Sequence, residues 1–268
     1  MTQSSVFSPP IGRIALWRRR LYCETLRRLG YRHMVVEAQG AYFLVGLDDL
    51  IDRHIAHLGM WEASQLEDLA RVCQSRQVDC FFDIGANAGF YSVMLASKGL
   101  VGTAVAFEPD PGNYARLMAN LALNDLTGRV RAMPVAVGHE AGEVVLAQAG
   151  PDNRGESWIM HADKPPEEAA AVATHRVQQI RFDDEFAISG KTLVIKMDVE
   201  GSEFHALVGM QRTLAENLCY LQIELYSDRI VELKQVLAEL GYSYLHTDYI
   251  DHFFTNMPDL IEGDAPVG

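Results

Sequence analysis

The sequence predicts an α/β fold built on a mostly parallel sheet, on three observations. From residue 79 onward, short apolar runs alternate with helical stretches, the pattern of βαβ units. A glycine-rich turn, Gly85-Ala86-Asn87-Ala88-Gly89, joins the first of those runs to the first helix that follows it. Acids close three of the runs, at Asp83, Glu108 and Asp198, which would put carboxylates together at the ligand-binding edge of such a sheet.

Taken in order, residues 11–30 are rich in Arg and space Ile14, Leu16, Trp17, Leu21, Leu26 and Leu29 for an amphipathic helix ending at Gly30. Residues 31–36 and 41–45, separated by Glu37-Ala38-Gln39-Gly40, predict a hairpin, and 48–76 predict one or two more helices, Trp61 to Val72 being the stronger. Residues 1–76 therefore read as an N-terminal extension, a cap or dimerisation element, ahead of a main domain at 77–268. In that domain the expected strands are 79–84, 103–108, 129–135, 143–147, 176–181, 192–198, 219–225, 242–247 and 251–255. The expected helices are 89–97, 111–124, 202–215 and 229–240. The last two strands flank Asp248-Tyr249-Ile250-Asp251 and predict an antiparallel C-terminal hairpin. Residues 150–175 read as a long excursion, the kind of loop that serves as a lid or binding segment.

Composition bounds the function. At 268 residues, 49% apolar and 22% charged, the chain can bury a sizeable core. A net charge of −13, from 23 basic and 36 acidic residues, argues against general nucleic-acid binding. The charge is uneven: residues 1–32 hold seven Arg and the single acid Glu24, so this arm carries +6 and the remainder −19. The arm reads as a solvated helix face or as a dock for an acidic partner, subunit or anionic surface. No secretory signal or apolar stretch of membrane-spanning length is visible, so a cytoplasmic protein is expected. Cys23, Cys73, Cys80 and Cys219 lack metal-ligand spacing and read as buried thiols.

The chemistry gathers at the strand ends. Small residues in the 85–89 turn let a ligand approach the backbone, and the helix N-terminus behind it offers unpaired N–H groups. The turn ends in no G-K-[ST] and does not match G-x-G-x-x-G, which disfavours phosphate-loop and dinucleotide readings. Asp83 suits an ammonium group, and Glu108 at the tip of the second strand suits ribose hydroxyls. The segment Val194 to Glu203 adds Asp198, Glu200 and Glu203, although Ser202 and Glu203 also suit a helix start.

Residues 79–225 resemble the FkbM family of S-adenosylmethionine-dependent methyltransferases. The resemblance is carried by Asp83-Ile84-Gly85-Ala86-Asn87-Ala88-Gly89-Phe90-Tyr91-Ser92, Ala106-Phe107-Glu108-Pro109, the Asn120/Asn124 helix, Val135-Ala136-Val137-Gly138 and Ile195-Lys196-Met197-Asp198-Val199-Glu200-Gly201-Ser202-Glu203. It implies a Rossmann-like class I methyltransferase fold, with a seven-stranded, mostly parallel sheet and an antiparallel last strand. It places Asp83, Gly85, Asn87 and Gly89 around the methionine moiety of the donor, Glu108 on the ribose hydroxyls, the Val135–Gly138 segment with Ala136 beside the adenine, and Asp198 near the donor's amino-acid end or the transferring methyl; Tyr91, as a wall of the site, and Pro109 are further cofactor-binding candidates. For the acceptor, Glu200 is the expected base or orienter, with Asp198, Glu203 and His205 as further catalytic candidates. Asn153, Ser157 and Trp158 in the long excursion are candidates for holding a sugar or hydroxylated metabolite. The expected reaction is O-methylation of such a small molecule, against N- or carboxyl-methylation or a silent donor-binding partner as alternatives. A divalent cation shared by Asp198, Glu200 and a substrate diol is an option that the sequence does not predict.

Overall fold

A computed structural model of the chain describes residues 5–8, 11–148, 157–160, 173–226 and 229–262. The extension forms α1 (Arg13–Arg28), a hairpin of β1 (His33–Ala38) and β2 (Ala41–Gly46), α2 (Leu50–Leu58) and α3 (Ala63–Ser75). Asp49 caps α2 by accepting from the Asp52 N–H at 3.1 Å, and Gly59, left-handed at φ 71°, ends it.

The main domain follows as β3 (Cys80–Ile84), α4 (Phe90–Ser97), β4 (Ala104–Phe107), α5 (Pro111–Leu123), β5 (Val130–Met133), β6 (Val135–Gly138), β7 (Gly142–Gln148), β8 (Trp158–Ile159), β9 (Ala173–Arg181), α6 (Phe182–Glu185), β10 (Thr192–Met197), α7 (Glu203–Gly209), α8 (Gln211–Glu216), β11 (Leu218–Glu224), α9 (Ile230–Glu239), β12 (Ser243–Asp248), β13 (Asp251–Thr255) and α10 (Pro258–Glu262). Seven strands make one sheet in the order β12-β13-β11-β10-β3-β4-β5. The run from β11 to β5 is parallel, and β13 lies antiparallel between β11 and β12. This is the expected Rossmann-like architecture with its antiparallel C-terminal hairpin.

Strand alternation divides the core. Phe81 joins the cluster on the face covered by α4, α5 and the extension, while its neighbour Phe82 turns to the opposite cluster with Phe107 and Phe182. The extension shares the first cluster through Phe43, Ile55, Leu66 and Leu69, so its apolar face is buried against the main domain. Asn120 and Asn124 of α5 hold the hairpin in place: Asn120 Oδ1 accepts from the Leu44 N–H at 2.7 Å, and Asn124 bonds both the N–H and the carbonyl of Tyr42.

Two expected elements differ in extent, and two expected strands join a second sheet. The strand read over 129–135 breaks at Pro134, which cannot donate to a ladder. Beyond it, β6 leaves the main sheet for a second one, ordered β6-β9-β7-β8, which also takes the strands read at 143–147 and 176–181. The helix read over 202–215 is interrupted at Met210 (φ −114°, ψ 7°). There Gly209 meets β6 so closely that a Cβ would stand 2.0 Å from the Gly138 carbonyl oxygen.

Candidate functional site

The parallel strands end in a cavity of about 410 Å³. One end is built on the turn after β3. Gly85 (φ 82°), Asn87 (φ 50°) and Gly89 (φ 82°) all take left-handed backbone, which folds the chain back on itself. The N–H groups of Gly85 and Ala86 donate to the Phe107 carbonyl at 3.0 and 2.9 Å, which fastens the turn to the tip of β4. A Cβ at Gly85 would lie 1.7 Å from the Asp198 carbonyl oxygen, so the turn and the end of β10 are in backbone contact. Gly89 faces Leu117 instead, its virtual Cβ 2.4 Å from Leu117 Cδ1, and serves helix packing rather than lining the cavity.

Glu108 lines the cavity beside Pro109, and its two carboxyl oxygens accept from the N–H groups of Asn87 at 2.7 Å and Asp110 at 2.8 Å. Burial pushes its pKa up to about 8, against the pull of those two donors. Val135, Ala136 and Val137 of β6, with Phe107, Leu146 and Ile159, give this end an apolar wall. Ser157 lines it as well, while Trp158 beside it does not.

The other end is polar. Asp83, Lys196 and Gln222 stand in register across β3, β10 and β11. Buried Asp83 accepts from the Ser92 N–H and hydroxyl at 3.2 and 2.7 Å. The Lys196 ammonium donates to Asp198 Oδ2 at 2.9 Å and lies 5.0 Å from the centre of the Tyr91 ring. Although burial opposes its charge, Asp198, Glu62, Asp83 and Glu224 together raise the lysine's pKa. Gln222 Nε2 donates to Asp251 Oδ1 at 2.7 Å and to the Tyr91 hydroxyl at 3.2 Å. The Tyr91 hydroxyl in turn donates to Glu62 Oε2 at 2.7 Å.

Glu62 comes from the extension and has left-handed backbone (φ 44°, ψ 55°), a strained conformation for a side chain of its size. Burial raises its pKa to about 7 and, with Asp198 nearby, raises that of Glu224 to about 9; burial also raises that of Asp251. Carboxylate oxygens of Glu62, Glu224 and Asp251 lie within 4.8 Å of one another, as do those of Asp198, Glu200 and Glu224. Such groupings also occur without an ion, and no metal is assigned to them.

Of the residues expected from sequence, Asp83, Gly85, Asn87, Tyr91, Glu108, Pro109, Ala136, Asp198, Glu200 and Ser157 line the cavity. Two expected catalytic groups do not. His205 turns to His139, Nδ1 to Nδ1 at 3.0 Å, because α7 presents it to the turn after β6. Glu203 accepts from the Gly201 N–H at 2.7 Å at the start of α7, the structural alternative for that residue. Asn153 lies outside the described residues. The sequence reading missed Glu62, Glu224 and Asp251, and with them the wall that Leu50, Ile51, Asp52, Ile55, Trp61 and Gln65 of the extension add. Glu224 and Asp251 had a usable signal, since each sits at the edge of an expected strand.

The sequence model of the methyltransferase FkbM domain matches residues 83–244. Methyltransferase sdnD of Sordaria araneosa is 29% identical over 153 residues, 48% of this chain and 59% of its own length. Hexuronic acid methyltransferase AglP of Haloferax volcanii is 25% identical over 185 residues, 65% of this chain and 66% of its own. The chain thus spans less than two thirds of either relative. A crystal structure of a methyltransferase FkbM from Methylobacillus flagellatus superposes with a TM-score of 0.47 at 18% identity, covering 66% of this chain and 43% of that one. With the domain match running from Asp83 in β3 to Tyr244 in β12, through the glycine turn, Glu108 and Asp198, the chain belongs to the FkbM methyltransferase family.

Proposed function

We propose that the protein transfers a methyl group from S-adenosylmethionine to a hydroxyl of a small acceptor, a sugar or another hydroxylated metabolite. The observation that carries this reading is one cavity joining a strand-tip carboxylate and glycine turn at one end to a wall of acids at the other. The residues present fit the donor. Glu108 offers a carboxylate to ribose hydroxyls, Val135 to Val137 offer an apolar slot to a planar base, and Asp198 with the neighbouring acids suits a cationic end. Bound there, S-adenosylmethionine supplies an electrophilic methyl on a sulfonium, for in-line displacement by an aligned nucleophile.

On the acceptor side, Glu200 is the carboxylate we assign to the acceptor's proton, with Asp198 held by Lys196 as its orienting neighbour. Tyr91 and Glu62 close the wall behind them. The name of the Haloferax volcanii relative supports a sugar-like acceptor. Lys196 is the only cationic side chain among the described lining residues, which favours a neutral or amine-bearing sugar over a uronate. The same acids favour a second reading, methylation of an amine.

Labelled donor incubated with neutral sugars, amino sugars and hydroxylated metabolites tests both readings. A methylated hydroxyl supports the first and a methylated amine the second. Donor binding with no product from any acceptor points to a donor-binding partner protein, and failure to bind the donor overturns the assignment.

A further inference from the structure

Helix α1 packs on α2 and the hairpin with one face only. Cys23 is buried, its Sγ 3.8 Å from Met34 Sδ, and Leu26 packs on the same cluster. The opposite face carries Ile14, Trp17 and Leu21 at i, i+3 and i+7, which places them on one stripe. They are 77%, 64% and 53% exposed. Arg13, Arg18 and Arg20 flank this stripe, all exposed, and none makes an ion pair among the described residues. An apolar ridge with a tryptophan in it, bordered by arginines, is the pattern of a helix that lies in a lipid interface.

From this face we infer that α1 docks the protein on an anionic phospholipid surface, with Ile14, Trp17 and Leu21 in the headgroup boundary and the arginines on the lipid phosphates. Charge favours this occupant over a second copy of the chain. A two-fold pairing through α1 would bring two +6 arms together, and three side chains fall well short of the roughly 800 Å² per partner of a standard interface. An anionic surface instead attracts the arm while repelling the −19 remainder, so the same charges that bind also orient. No helix of the described residues is long and apolar enough to cross a membrane, which fits docking on the surface. The inference is independent of the chemistry in the cavity, though α1 rests on α2, whose Leu50, Ile51 and Ile55 line it.

Flotation of the full chain with vesicles provides the test. Binding is expected to vesicles of mixed phosphatidylglycerol and phosphatidylcholine, not to phosphatidylcholine alone, and to weaken as salt rises. The triple variant I14S/W17S/L21S is expected to bind at least about tenfold more weakly. R18E/R20E, which keeps the apolar ridge, is expected to lose the preference for phosphatidylglycerol. The replaced side chains are solvent-exposed, so unchanged circular dichroism and melting temperature should accompany both losses. Three outcomes overturn the inference: no flotation of the unaltered chain, equal flotation of the triple variant, or a sedimenting dimer that the triple variant abolishes, which would assign the face to a second copy.

Discussion

Asp52 of α2 and Arg116 of α5 form an ion pair buried between the extension and the main domain. Asp52 Oδ2 also accepts from the Gly46 N–H at 2.7 Å, and Arg116 continues to Asn113 Oδ1 at 2.7 Å and Asn87 Oδ1 at 3.3 Å. The hairpin, α2 and the glycine turn are thereby one hydrogen-bonded unit. Removing one partner leaves a buried charge uncompensated, so Asp52→Ala should cost about 3–5 kcal/mol in urea denaturation. The double variant Asp52→Leu with Arg116→Leu should recover much of that loss. Equal stability of Asp52→Ala and the parent would contradict the structural role of the pair.

A pH dependence of stability follows from the acid wall. Glu62 and Glu224 have folded-state pKa values of about 7 and about 9, above the ordinary carboxyl value, so the folded chain holds protons that the unfolded chain has released. Their contribution is fully present below the unfolded pKa and is lost as pH rises through the folded one. The urea midpoint should therefore fall between about pH 5 and pH 9, and Glu62→Gln with Glu224→Gln should flatten that fall. A midpoint that rises over this range would refute it.

Donor binding should release protons, because a sulfonium beside these carboxyls favours their ionised forms. Calorimetry in two buffers of different ionisation enthalpy should find more protons released with S-adenosylmethionine than with S-adenosylhomocysteine, which lacks the sulfonium charge. The same release with both ligands would move the sulfonium away from the acid wall.

Glu108→Ala should weaken donor binding about tenfold or more, through loss of the ribose hydrogen bonds we assign to it and of the two N–H contacts that hold Asn87 and Asp110. Titration calorimetry measures it directly, and unaltered affinity removes Glu108 from the ribose.

Glu200→Gln should lower turnover far more than donor affinity, because Glu200 is assigned to the acceptor's proton. Equal losses in both would place it on the donor side.

The parallel sheet was legible because its signals are local: alternation within Phe81 and Phe82, glycines at a tight turn, acids at strand tips. The break at Pro134 was missed although it had a signal, since a proline lacks the N–H that would carry the ladder onward. Glu62 was not legible, because it reaches Tyr91 and the strand-end acids Glu224 and Asp251 from a far-separated part of the chain only by packing of the extension on the main domain. His205 shows the converse error. Sequence spacing places it one turn along α7 from the strand tip, and only the helix's rotation, set by Gly209 against Gly138, decides that it meets His139.

The insertion of β13 between β11 and β12 separates two kinds of boundary in this chain. The match to the FkbM domain model ends at residue 244, before β13 begins at Asp251. A fragment cut to residues 83–244 would sever β3 before Asp83 and β12 after Tyr244, and lose β13 with Phe253 and Phe254, both buried. It would also delete Phe81 with the extension, baring the sheet face they cover, and remove Glu62 from the cavity. The stretch that matches the domain model is thus smaller than the packed sheet and its covering elements, and truncation to it should yield an aggregating chain rather than a minimal enzyme.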